Sequence, residues 1–74
     1  MMKLSFEAAL VYLKQDKTIT REVWNGKMWI ATNTVGGTQY YFLITPNKYT
    51  NSLDVKQLEN INIEDIMAND WIAM

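Results

Sequence analysis

Neither cysteine nor histidine occurs in the 74 residues of this chain, and proline occurs once. Without cysteine there is no disulfide to staple the fold. Without both residues the thiolate and imidazole ligands of structural zinc are missing. The same two absences exclude Ser-His-Asp and Cys-His nucleophilic systems, and a histidine base tuned near neutral pH. No phosphate-cradling glycine loop is present, because Gly36-Gly37 alone signals a turn. Carboxylates remain, with Glu64 and Asp65 side by side. Adjacent residues on a helix point about 100° apart and do not converge on one reacting atom. They read as first-turn partners of a helix dipole on a solvated face. The expectation is a non-enzymatic protein with no cofactor and no metal.

Excess charge is also missing. Seven basic residues stand against eight acidic ones, for a formal charge of −1. No basic cluster exists to displace counterions from a DNA or RNA backbone, so nucleic acid is not an expected partner. The apolar runs, such as residues 40–44, are far too short to cross a bilayer. Residues 1–13 lack the pattern of a secretory leader, so a cytoplasmic location is expected.

What the chain does have is apolar and aromatic mass: 49% of residues are hydrophobic, and three tryptophans, four tyrosines and two phenylalanines are packed into 74 positions. This length suits one domain, residues 1–74. A domain so small buries only about 60–65% of its unfolded surface, leaving a thin margin of stability. Self-association is the remaining way to support it.

Phe6, Ala9, Leu10 and Leu13 fall at helical spacing behind Ser5, a good N-cap, and Glu7 suits the positive end of the dipole. The helix should stop near Gln15 or Asp16, where aspartate tolerates the left-handed conformation. Residues 18–21 alternate and are β-branched, predicting a strand. Asn25-Gly26 between Trp24 and Lys27 is a hairpin signal, since a type I′ turn needs positive φ twice. Residues 28–33 should return as the second strand. Gly36-Gly37 marks another turn, and residues 39–45 form the clearest strand, ended by Pro46-Asn47. Residues 48–60 are poorly periodic, with room for a short strand around 53–55. Asn62 caps a brief helix framed by Ile61 and Ile66. Asn69-Asp70 breaks it, and residues 71–74 read as a terminal strand or a tail packed on the sheet. The fold class expected is α+β: a small antiparallel sheet with an N-terminal helix packed on one face and a short C-terminal helix.

Trp24 is the most informative aromatic residue. It adjoins the Asn-Gly turn among Arg21, Asn25 and Lys27, where a planar base can stack while amide and cationic donors hold its phosphates. The alternative is that it plugs the sheet against the first helix. Trp71 suits a residue pinning a chain end to the core. Trp29 shares a sheet face with Ala31 by period two, as core or as oligomer interface.

Ser5-Phe6-Glu7-Ala8-Ala9-Leu10, Lys14-Gln15-Asp16-Lys17, Thr20-Arg21-Glu22-Val23-Trp24-Asn25-Gly26-Lys27 and Glu64-Asp65-Ile66-Met67-Ala68-Asn69-Asp70-Trp71 together resemble a phage family, the second type of Thoeris anti-defense protein. The match covers both ends and about half the chain. The resemblance implies a homo-oligomeric sponge, dimer or tetramer, acting in the host cytoplasm. Such a sponge sequesters a cyclic ADP-ribose-type messenger, or another cyclic nucleotide, and leaves it intact. It places Trp24 on the base, Arg21, Asn25 and Lys27 as polar contacts, and Asp70 as acceptor from a ribose hydroxyl. The chain differs from that family at Asp16 and Val23, where glycine is usual, and in a shorter middle. Leu58-Glu59-Asn60-Ile61 also stands where a Pro-Trp segment often precedes the second helix. Two other functions fit the composition: a protein–protein inhibitor using an exposed aromatic patch, and an assembly module whose aromatics are buried between subunits.

Overall fold

The computed structural model describes residues 3–74; of the stretch read for a leader, Met1 and Met2 lie outside the described residues. The chain opens with helix α1, Phe6–Lys14. Ser5 begins it as expected, its Oγ accepting the Ala8 N–H at 3.2 Å. Gln15 caps the end, and Asp16 follows in the left-handed region at φ 64°. Strand β1 (Ile19–Arg21) leads through a single 3-10 turn (Glu22–Trp24) to β2 (Trp29–Val35), β3 (Thr38–Asn47) and β4 (Ser52–Gln57). Helix α2 (Ile63–Ile66) and strand β5 (Trp71–Ala73) complete the chain. The five strands form one antiparallel sheet in the order β4-β3-β2-β1-β5, so the last strand closes beside the first. The fold is α+β.

The buried core is Ala9 and Leu13 from α1 together with Ile19, Ile30 and Trp71, one from each of β1, β2 and β5. Ile19 lies opposite Ile30 in the β1–β2 ladder and opposite Ala73 in the β1–β5 ladder, so these side chains share one side of the sheet. Residues between them in sequence project from the other side. There, cross-strand register lines up Trp29, Ile44 and Val55, with Ala31 beside Phe42. Trp29 does share a face with Ala31, but it is the face opposite the core, where Trp29, Ala31, Phe42 and Ile44 are only half-buried.

Three local expectations are revised. The Asn-Gly turn has the right backbone, with positive φ at Asn25 (50°) and Gly26 (75°) and Lys27 N–H donating to the Trp24 carbonyl at 2.9 Å. It does not join paired strands directly, because the 3-10 turn intervenes and the β1–β2 ladder begins only at Ile19 and Ile30. Strand β3 runs past residue 45, through Pro46 to Asn47. The missing N–H of Pro46 costs nothing there: it points to the β2 side, and β2 begins at Trp29, opposite Ile44. The poorly periodic middle holds a six-residue strand, β4, longer than the three positions the alternation suggested.

Candidate functional site

Arg21 ends β1 with its side chain 16% exposed and reaches two carboxylates far along the sequence. Its Nη1 donates to Asp65 Oδ1 at 2.6 Å and its Nε to Asp70 Oδ1 at 2.8 Å. Asp70 also accepts from the Val23 N–H through Oδ2 at 3.3 Å. One guanidinium therefore ties the 3-10 turn, α2 and the start of β5 to the end of β1. The planar fork suits this task, since a single ammonium does not address two carboxylates in fixed directions. Asp65 thus departs from the solvated dipole partner expected of it: its side chain is also 16% exposed, because it turns inward to Arg21, while neighbouring Glu64 stays exposed.

Charge pairing moves both titrations. The hydrogen bond to Arg21 is the main reason the Asp70 carboxyl sits below the ordinary carboxylate range, against the opposing pull of desolvation. The hydrogen bond to Asp70 is likewise the main cause holding the Arg21 guanidinium above its usual value. A carboxylate depressed by folding adds stability at neutral pH that is lost as pH falls through its folded value. Thermal melts should therefore show stability falling below about pH 4, with a shallower fall in Asp70→Asn. Parallel slopes for the two proteins would contradict this pairing.

Three aromatic rings pack in a row. Trp71 is fully buried between Phe6, tilted at 52°, and Trp24, edge-on at 83°, each ring centroid 5.2 Å away. The Trp71 indole Nε1 donates to the Asp65 carbonyl at 2.8 Å, so its polar atom is satisfied inside the core. Trp24 is half-buried and, with Met28, Ile30, Leu43, Leu58, Asn60, Ile61, Asn62 and Asp65, lines a cavity of about 130 Å³. Thr20 Oγ1 donates to the Met28 carbonyl at 2.7 Å and fixes the chain beside it.

A family model, the Thoeris anti-defense 2-like domain, matches residues 4–74. The chain belongs to the Thoeris anti-defense 2-like family. Comparison with curated proteins and with solved structures returns no match. Family membership assigns this anti-defense domain a role against Thoeris.

In the anti-defense domain the five residues singled out from sequence cluster around one corner but divide into two groups. Trp24 lines the cavity, and Asn25 and Lys27 are exposed in the turn beside it. Arg21 and Asp70 instead face one another and do not line it. Sequence reasoning did not pick out Met28, Leu58, Asn60, Ile61, Asn62 or Asp65 as lining residues. The one available signal was the family difference at residues 58–61, three of which form the cavity wall.

Proposed function

We propose that this domain binds and sequesters a cyclic ADP-ribose-type signalling nucleotide inside the host cell without cleaving it. The observation that carries the reading is Trp24, half-buried at a cavity whose other lining includes the amides Asn60 and Asn62. An indole gives a purine a stacking surface, and side-chain amides serve as both donors and acceptors for its edge. The volume decides how much of a messenger one subunit holds. Drug-sized ligands occupy pockets of about 300–1,000 Å³, so about 130 Å³ suits one ring system and not a whole dinucleotide. The sugars and phosphates lie outside it, over the exposed Asn25 and Lys27, and are covered in a homo-oligomer, dimer or tetramer, by a second copy.

Arg21 and Asp70 take positioning roles in this reading. Arg21 Nε and Nη1 and both Asp70 carboxylate oxygens are engaged with each other, with Asp65 and with the Val23 N–H, which orders the 3-10 turn and Asp65 beside the cavity. Lys27 is then the cation for phosphate. Helix α1 is read as lying over the sheet face that carries Ile19 and Ile30, so that this face holds both core and cavity. No residue is assigned to bond-making, and the protein is read as a binder and not an enzyme.

Titration of the purified domain with cyclic ADP-ribose isomers, followed by tryptophan fluorescence and calorimetry, tests the reading. Binding should quench emission, and Trp24→Leu should weaken it about 10- to 100-fold, the range expected for losing one base–aromatic stack. Equal affinity in both proteins, or no uptake by either, would refute it.

A further inference from the structure

The sheet has two edges, and they differ. On the β5 edge, Leu4 pairs with Trp71, its N–H donating to the Trp71 carbonyl at 2.7 Å and its carbonyl accepting from Trp71 N–H at 3.0 Å. On the other edge, β4 is exposed along all six residues and has no partner on its outer side among the described residues. Leu53 and Val55 are 54% and 56% exposed. The Leu58 N–H donates to the Tyr41 carbonyl at 2.8 Å, which sets the alternation of the β3–β4 ladder. Asp54 and Lys56 therefore turn their backbone groups inward to β3, and Leu53, Val55 and Gln57 turn theirs outward.

We infer that β4 pairs edge to edge with β4 of a second copy, antiparallel, on a two-fold axis at Val55. The charges choose this register. Outward-facing residues must oppose one another, which limits the axis to whole-residue positions. An axis at residue 54 sets Asp54 against Asp54, and one at residue 56 sets Lys56 against Lys56; like charges directly opposite are unfavourable. An axis at residue 53 shortens the ladder and leaves Lys56 without an opposite charge. An axis at Val55 places Asp54 opposite Lys56 of the second copy, and Lys56 opposite its Asp54. These fall at the closer, non-hydrogen-bonded positions, where side chains interact best. Val55 and the Leu53–Gln57 pairs exchange the backbone hydrogen bonds.

Two consequences follow from the ladder. The apolar row of Trp29, Ile44 and Val55 continues without interruption into the second copy. The turn of residues 48–51 in the second copy also comes alongside Glu59 and Asn60, at the rim of the cavity. This pairing does not depend on the ligand reading, and its test uses no ligand.

The chain has no cysteine, so one introduced thiol reports one contact. At the two-fold position the Cα atoms of opposed residues stand about 5.5 Å apart, within the range a disulfide spans. Val55→Cys should form a covalent dimer on mild oxidation, and Thr34→Cys, at an exposed position on β2, should not. By sedimentation equilibrium, Lys56→Asp should lower the association constant about ten-fold, and Asp54→Lys combined with Lys56→Asp should restore it. Circular dichroism confirms that each variant is folded. A single-copy mass for the unmodified protein at every concentration would overturn the inference. So would assembly without the Val55→Cys cross-link, or a charge swap that fails to restore association.

Discussion

Replacing Trp71 by alanine is expected to leave the domain largely unfolded at 37 °C. Trp71 is the largest side chain in the fully buried core and touches elements from both ends of the chain. Its backbone holds Leu4 and pairs with Arg21, and its indole is bonded to the Asp65 carbonyl. Truncating a buried tryptophan costs about 3–5 kcal/mol. A domain below about 70–80 residues rarely has more than about 3–5 kcal/mol from its own core, so the loss is comparable to the whole. Each kcal/mol lowers the midpoint by about 4–8 °C at this size. Trp71→Phe keeps an apolar ring but loses the indole hydrogen bond, and should fall between. The check is a thermal melt by circular dichroism. A Trp71→Ala midpoint within about 5 °C of the parent would show that the three-ring cluster does not hold the fold together.

Arg21→Ala is the second large effect, and its sign with pH is its signature. Removing the guanidinium leaves Asp65 and Asp70, 16% and 20% exposed, as two carboxylates without their cation. Unpaired charges in such surroundings cost about 2–4 kcal/mol at neutral pH. Arg21→Lys recovers only part of this, because one ammonium replaces a fork directed at two acceptors. Without the cation, desolvation of the Asp70 carboxyl is opposed only by the remaining backbone bonds, chiefly the Val23 N–H, so its titration rises from the paired value. Loss of the paired carboxylate's contribution leaves Arg21→Ala less stable at pH 7 and flattens or reverses its loss of stability on acidification relative to the parent. Melts of both proteins on acidification read the two slopes directly. Parallel slopes would mean that the pairs contribute nothing to folding.

How far the sequence foretold this arrangement depends on the range of the interaction. Helix α1, the left-handed Asp16, the Asn-Gly backbone and the terminal strand are local, and each was legible from cap, turn or β-branched residues within a few positions. Strand β4 was only half legible because it is an edge: two apolar residues, Leu53 and Val55, are its whole alternating signal. The bonds from Arg21 to Asp65 and Asp70 span 44 and 49 residues, and no spacing rule links them. That is why the pairing of Arg21 with both acids was not legible and Asp65 read as a solvated acid. Trp24 was expected either to stack on a guest or to plug the core. It packs edge-on against Trp71 and also borders a cavity, a combination that spacing alone does not reveal.

Family membership fixes the biological setting, and the physical question is whether one corner of a small sheet can hold a messenger without altering it. The domain would be mixed with a limiting amount of a cyclic ADP-ribose messenger, passed through a filter that retains protein, and then heated to release whatever it carries. The filtrate should be depleted, and the heated fraction should return the messenger at its original mass, in proportion to subunit number. A messenger left in the filtrate, or recovered as a cleaved product, would contradict sequestration without cleavage.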